Sequence, residues 1–320
     1  MKRKLVTVNP AIEDRHCDQI RAAAEKNGFE ALFFREDAGA LPHLADAEVI
    51  FGQSAALAKN SPCLRWLCTP SAGVDQFTGP GVFASPQAVL TNSSGAYGVT
   101  IAEHIVMMIL EMLRRQMDYS EIVRCREWRR DLPVRSIKGS RVALLGTGDI
   151  GRETAVRLRA FGPASLIGVN RSGKDVHSLF DCVIPQEKLD TLLPGTDILV
   201  ISLPGTPETI RMLDARRLSL LPDQALIVNV GRGSVIDQKA LEKELCKGRL
   251  CAALDVFERE PLPKDDSLWE CPNLLMAPHV AGNMTLPYTK DRIVELFLED
   301  FENYCAGRPL LRLVDLKKGY

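Results

Sequence analysis

The 320-residue chain has no C-x-x-C pair, no long apolar run and almost no net charge, and each absence removes a class of function. Its nine cysteines are scattered, and the C-x4-C pairs Cys63/Cys68 and Cys246/Cys251 have no histidine nearby at zinc-like spacing. An odd number of dispersed cysteines fits buried thiols in a reducing compartment better than a disulfide framework. The N-terminal MKRKLVTVNP is charged, but its apolar run is too short for a signal peptide. The longest apolar stretch, 105–110, is far below membrane-spanning length. These features point to a cytoplasmic protein with no membrane partner. A formal net charge of −1 gives nucleic acid no electrostatic reason to bind, and the basic cluster at 126–130 reads as a solvated helix end.

What is present is an ordinary globular composition, 46 % hydrophobic and 25 % charged, in a chain long enough for two domains. Short apolar runs alternate with helix-period segments, which predicts an α/β fold with parallel sheets. The first hundred residues carry candidate strands at 5–8, 31–34, 49–51 and 66–69, with a helix over 12–27 stopped by Gly28. A helix is expected over 100–117 with almost no polar face, so it should be buried between domains or subunits. A second series of strands follows at 142–145, 166–169, 182–184, 198–203, 226–230, 253–257 and 274–277. The last helix is expected over 288–304, with a polar tail beyond it.

After the strand at 142–145 comes GTGDIG, which sets Gly146, Gly148 and Gly151 in G-x-G-x-x-G spacing around Asp149 and Ile150. The first glycine allows a tight turn, the second lets backbone approach a pyrophosphate, and the third lets the next helix pack on the strand. The N-terminal amides of that helix, apolar over 155–161, then face the anion. The pattern is weak alone, but a strand before it and a helix after it are the required context. The second strand ends in GVNRSG, 168–173, where an acidic residue would bond the adenine ribose 2′-hydroxyl. Asn170, Arg171 and Ser172 stand there instead, with Lys174 beyond. A guanidinium pairs with a 2′-phosphate bidentately and a hydroxyl donates to it, so NADP(H) is the expected cofactor, with NAD(H) as the weaker alternative.

Three further stretches, PSAGVDQF at 70–77, NVGRGSVIDQKALEKELCKGRLCAALDVFEREPLP at 229–263 and PHVAG at 278–282, resemble the D-isomer-specific 2-hydroxyacid dehydrogenases, of the glyoxylate/hydroxypyruvate reductase kind. The resemblance covers nearly the whole chain. It implies two Rossmann-like or flavodoxin-like parallel-sheet domains: a dinucleotide-binding domain, 99–286, inserted into a substrate-binding domain made of 1–98 and 287–320. The helices at 100–117 and 288–304 would be the crossings. It also implies a homodimer formed through the cofactor domains.

Carried over residue by residue, the resemblance makes Arg232 the group that binds and polarises a 2-oxo acid. His279 becomes the general acid and base, and Glu260 its supporting carboxylate. Backbone amides of Ser71, Ala72 and Gly73 would take the substrate carboxylate. Thr100, Leu203, Val230, Gly231 and Asp255 would surround the nicotinamide half, with Asp255 accepting from its carboxamide. No metal is implied. The chemistry suits these residue types. Hydride addition develops an alkoxide, so a donor that titrates near neutrality is wanted, and imidazole is closest. A carboxylate against an imidazole fixes its tautomer and favours its charged form. Arginine keeps its charge throughout.

Formate dehydrogenases pair their histidine with glutamine, so Glu260 argues against that chemistry. The segment 52–57 is small and uncharged, which disfavours a phosphorylated substrate. In HVAGNM, Met284 stands where such proteins commonly have threonine, and Thr285 comes one later. The chain ends soon after its last helix, an expectation against an appended regulatory domain. The motifs leave open a second class, a dinucleotide-sensing binding protein like the corepressors built on this fold.

Overall fold

The computed structural model describes residues 3–175, 178–316 and 318–319. Among them twelve strands form two wholly parallel sheets. The chain divides into two compact units, Met1–Tyr97 with Asn283–Tyr320, and Gly98–Gly282.

In the first unit, β1 (Arg3–Val8), β2 (Phe29–Phe34), β3 (Val49–Gly52), β4 (Trp66–Cys68) and β5 (Val89–Thr91) lie in the order β2-β1-β3-β4-β5. Parallel strands are covered on both faces and therefore read as continuous apolar runs. Accordingly Leu5, Val6, Val49, Ile50 and Phe51 are all fully buried. The helix Pro287–Cys305 returns to this sheet through its aromatic side chains. Phe297 stacks on Phe51 with centroids 4.3 Å apart and on Trp66 at 5.4 Å. Trp66 Nε1 donates to Thr91 Oγ1 at 2.9 Å, which satisfies the indole inside the core. The strand β5 was not expected. It is three residues long and begins at a half-exposed edge, so its pattern is too short to show a period.

The second unit orders β6 (Arg141–Leu145), β7 (Ser165–Asn170), β8 (Cys182–Pro185), β9 (Ile198–Ile201), β10 (Leu226–Asn229), β11 (Cys251–Leu254) and β12 (Leu274–Met276) as β12-β11-β10-β9-β6-β7-β8. This is the doubly wound arrangement, in which the strand order reverses between β6 and β9 and the crevice at the strand C-termini accepts a ligand. Its core joins Leu145, Leu199, Ile201, Ile227 and Leu254 from four strands.

Three expectations need correction. The helix over 100–117 is two helices, Gly98–Leu113 and Gln116–Arg124, parted at Arg115, whose φ of 55° is left-handed. A left-handed residue ends a helix, and here the Arg115 guanidinium then pairs with Asp118 at 2.6 Å in the next one. The strand at 253–257 runs instead over Cys251–Leu254, because Asp255 turns its carboxylate into a loop anchor. β9 stops at Ile201, so Ser202 and Leu203 lie beyond the sheet, where Pro204 and Gly205 follow. No described helix is long and apolar enough to cross a membrane.

Candidate active site

The loop between β6 and the helix Asp149–Arg159 is built on its glycines. Gly146 has a φ of 102°, which L side chains rarely adopt, and a Cβ there would lie 2.8 Å from Ser202 Oγ. At Gly151 a Cβ would lie 2.0 Å from the Gly146 carbonyl oxygen, so the helix can start this close to the strand only without a side chain. Gly148 differs: a Cβ there would meet nothing within 4 Å. The fold itself does not need that glycine. Gly148 is the N-cap, its carbonyl accepts from Arg152 N at 2.8 Å, and the first-turn amides beyond it have no intrahelical acceptors. An open glycine ahead of first-turn amides that lack intrahelical acceptors, at a strand-order switch point, is a cradle that fits a pyrophosphate. Asp149 is engaged by Arg152 at 3.1 Å, so this helix offers an anion its amides rather than that side chain. Ile150 carries its carbonyl to Thr154 Oγ1 at 2.7 Å.

At the tip of β7 the Asn170 side chain folds the turn. Its Oδ1 accepts from Ser172 N at 3.1 Å and Gly173 N at 2.7 Å, while its Nδ2 donates to Thr147 Oγ1 at 2.8 Å and to the Lys174 carbonyl at 3.0 Å. Asn170 thus ties the glycine loop to the tip, and Arg171 and Ser172 are the residues the turn presents. The Glu208 carboxyl is held below its usual range by a hydrogen bond with Thr206, by backbone, and in smaller part by the positive charge of Arg171. A phosphate at this tip would share that arginine with Glu208.

The three proposed catalytic residues come from the C-terminal ends of β10, β11 and β12. His279 Nδ1 lies 2.6 Å from Glu260 Oε2, and Glu260 Oε1 accepts from Phe257 N at 2.9 Å. The carboxylate is therefore fixed by backbone on one oxygen and meets the imidazole with the other. The other face of the His279 ring remains available, for its side chain is 51 % exposed. His279 has a φ of 54°, uncommon for a residue with a side chain and worth about 1–3 kcal/mol of backbone strain. Two bonds offset it: His279 N donates to the Asp255 carbonyl at 2.9 Å and to the Ala277 carbonyl at 3.0 Å.

Arg232 stands on the turn after β10, in extended backbone, with Nη1 donating to the Gly231 carbonyl at 2.8 Å. Beneath it Asn229, fully buried, receives Gly231 N at 3.0 Å and donates to the Arg232 carbonyl at 2.9 Å. Leu203 lies across from this turn, since a Cβ on Gly231 would meet the Leu203 carbonyl at 2.5 Å. Val230 and Thr100 are both buried. Asp255, 1 % exposed, accepts from Val280 N at 2.8 Å and Ala281 N at 3.0 Å.

In the first unit the 70–73 segment follows β4. Ser71 Oγ donates to the Gly73 carbonyl at 2.7 Å, lies 3.0 Å from Thr69 Oγ1, and accepts from Gln53 Nε2 at 3.0 Å. Ala72 lends its carbonyl to Asn92 Nδ2 at 2.9 Å. Sequence reasoning missed Gln53, Thr147 and Asn229. Thr147 and Asn229 lay within quoted motifs, and Asn229 was legible as a polar residue ending an apolar strand. Gln53 acts through a contact distant in sequence and had no local signal.

Glycine cradle, reversed strand order and a carboxylate-held imidazole together define a dinucleotide-dependent enzyme fold of the doubly wound class. The family described as "D-isomer specific 2-hydroxyacid dehydrogenase, NAD binding domain" matches residues 106–281. A glyoxylate/hydroxypyruvate reductase B of Pectobacterium atrosepticum is 30 % identical over 294 residues, 88 % of this chain and 89 % of that protein. The crystal structure of a D-isomer specific 2-hydroxyacid dehydrogenase family protein from Aeromonas salmonicida superposes with a TM-score of 0.88 at 29 % identity, covering 99 % of this chain and all of that one. An NADPH-dependent glyoxylate/hydroxypyruvate reductase from Sinorhizobium meliloti, solved with NADP and sulfate, gives 0.83 at 27 % identity over the whole of both chains. The chain belongs to the D-isomer specific 2-hydroxyacid dehydrogenase family. It is an oxidoreductase that interconverts 2-oxo and 2-hydroxy acids with a nicotinamide dinucleotide.

Proposed function

We propose that this protein is an NADPH-preferring reductase of a small 2-oxo acid, forming the D-2-hydroxy acid, with NADH as a poorer donor. The observation that carries this reading is the His279–Glu260 pair at 2.6 Å, in the same unit as the glycine cradle. In this reading Gly98–Gly282 holds the dinucleotide and Met1–Tyr97 with Asn283–Tyr320 belongs to the acid. The relatives named as glyoxylate/hydroxypyruvate reductases support a short, uncharged substrate side chain.

The dihydronicotinamide, when bound, supplies a hydride to the carbonyl carbon. Everything else falls to the chain's own residues. Amides of Gly148, Asp149, Ile150 and Gly151 hold the pyrophosphate, and Arg171 and Ser172 take the 2′-phosphate at the tip that Asn170 folds. Thr100, Leu203, Val230, Gly231 and Asp255 surround the nicotinamide, and Asp255 accepts from its carboxamide. Arg232 binds the substrate through its carboxylate and keto oxygen, and the amides of Ser71, Ala72 and Gly73 are the first unit's own donors for a carboxylate. A fixed guanidinium at the keto oxygen stabilises charge where it develops. His279, its Nδ1 held by Glu260, gives the Nε2 proton to the nascent alkoxide and takes it back in the reverse direction.

The protein works in this reading as a homodimer through its cofactor unit. Met117 (42 % exposed), Val123 (66 %) and Trp128 (92 %) follow one another there with their apolar surface in solvent. Turnover of a 2-oxo acid panel by wild type and His279→Asn tests the chemistry. Wild type should reduce short 2-oxo acids and the variant should lose at least about 10²-fold in kcat. An equally active variant would remove His279 from the mechanism.

A further inference from the structure

Asp255 holds more of the site than a cofactor contact requires. Its carbonyl takes the His279 amide and its carboxylate takes those of Val280 and Ala281, so one residue grips three consecutive backbone N–H groups. The carboxylate is almost wholly buried, and both of these side-chain bonds come from neutral amides. A carboxylate has about four acceptor sites, so each oxygen keeps one beyond its amide.

On the helix Gly98–Leu113, His104 sits among the buried Ile101, Ala102, Ile105 and Met108. Its Nε2 is buried without a hydrogen-bond partner among the described residues, and it lies 3.8 Å from Asp255 Oδ1. That gap is longer than a hydrogen bond, which ends near about 3.2 Å, and too short to hold a bridging water. A buried ring nitrogen without a partner destabilises the fold, and leucine would serve this helix better if packing were the only task. An orphan donor thus faces an acceptor with room for it.

We infer that His104 is a positioning residue that acts through Asp255: its Nε2 faces Oδ1 across 3.8 Å, and by closing that gap to hydrogen-bond distance it fixes the carboxylate's rotation. Oδ2 would then keep one acceptor site for the nicotinamide carboxamide, while both oxygens keep the 280–281 turn, and with it His279, in place. The inference rests on the dinucleotide reading above and deepens it. It makes His104 a determinant of how the nicotinamide half is held and leaves the adenosine half alone.

The test uses the full-length protein with His104→Leu, which removes the donor, and His104→Gln, which restores one at similar reach. Dissociation constants are measured for NADPH and for 2′-phospho-ADP-ribose, which keeps every part of the cofactor except the nicotinamide. His104→Leu should weaken NADPH on the order of tenfold, the effect of one lost hydrogen bond to a charged group, and change 2′-phospho-ADP-ribose by less than about twofold. His104→Gln should recover NADPH to within about threefold of wild type. Should His104→Leu fail to fold, the same ratio is read in His104→Asn, whose shorter amide does not reach Asp255. Equal weakening of both ligands, no weakening of either, or a glutamine variant as poor as leucine would overturn the inference. A wild type that binds 2′-phospho-ADP-ribose and NADPH equally well would overturn the role of Asp255 and this inference with it. A wild type that binds neither would overturn the dinucleotide reading as well.

Discussion

Gly148 and Gly151 stand three residues apart in one loop, and alanine at each should have opposite consequences. At Gly151 the new methyl would lie 2.0 Å from the Gly146 carbonyl oxygen, which is backbone and cannot swing aside. The helix must move by more than an ångström, and overpacking of that kind costs about 1–3 kcal/mol or more. For a unit of this size that lowers the melting temperature by roughly 2–12 °C. At Gly148 the backbone has φ −74° and ψ −157°, open to any L residue, and the methyl meets nothing. Alanine is a poorer N-cap than glycine, but it also restricts the unfolded chain by about 0.4–1 kcal/mol, so the two effects largely cancel. The Gly148→Ala protein should melt with wild type. Its methyl, however, occupies the space through which backbone amides reach the pyrophosphate. Losing one charge-assisted bond, at about 1.5–3 kcal/mol, weakens NADPH by roughly ten- to a hundredfold. Thermal melts and an NADPH titration on both variants decide it. Gly148→Ala binding NADPH within about twofold of wild type would refute the cradle, and Gly151→Ala melting with wild type would refute the packing argument.

Arg232→Ala should keep NADPH affinity and lose about 10²-fold or more in kcat/KM for the 2-oxo acid, since it removes roughly 3 kcal/mol of transition-state stabilisation; near-normal kcat/KM would exclude it from the mechanism. Glu260→Gln frees the His279 ring from its carboxylate and should lower kcat with little effect on NADPH binding, as stopped-flow turnover and a binding titration would show; unchanged kcat would leave the pair without a catalytic role. The Asp197 carboxyl is held below its ordinary range chiefly by side-chain hydrogen bonds from Arg141, which reach it at 2.7 and 3.1 Å. A depressed folded-state pKa contributes stability that is present above the unfolded value and lost as pH falls, so the melting-temperature gap between wild type and Asp197→Asn should close below about pH 4. A gap that widened on acidification would contradict the assignment. Trp128→Ser should shift the sedimenting species toward the monomer, and an unchanged dimer would move the interface elsewhere.

Much of this fold could be read from the chain because parallel, doubly covered strands leave continuous apolar runs. β6, β10 and β12 fell within a residue or two of where those runs placed them. Features set by a single side chain could not be read in that way. Nothing local marks Arg115 as left-handed, so one helix was expected where there are two. Asp255 lies in an apolar run that looks like strand, and only its bonds to Val280 and Ala281, 25 and 26 residues on, explain why the strand stops before it. The same holds within the site. The glycine spacing was visible, but that Gly148 alone is open while Gly146 and Gly151 are crowded depends on Ser202 and on the loop's own backbone. Asn170 is expected beside the cofactor from its place at a strand tip, but that place does not show that its side chain also ties the tip to Thr147 and Lys174.

The central claim, an NADPH-preferring reductase of 2-oxo acids, is tested most directly by kcat/KM for NADPH and NADH at one saturating 2-oxo acid, in wild type and Arg171→Ala. No carboxylate stands at residues 170–172 to accept a ribose hydroxyl or to repel a 2′-phosphate. Wild type should therefore favour NADPH. Arg171→Ala should erode that preference roughly ten- to a hundredfold through the KM for NADPH, the value of one charge-assisted contact held equally in ground and transition states, and leave NADH nearly untouched. A wild type that favours NADH, or a variant whose ratio does not move, would contradict the account of this tip, and a wild type that turns over no 2-oxo acid with either cofactor would contradict the account as a whole.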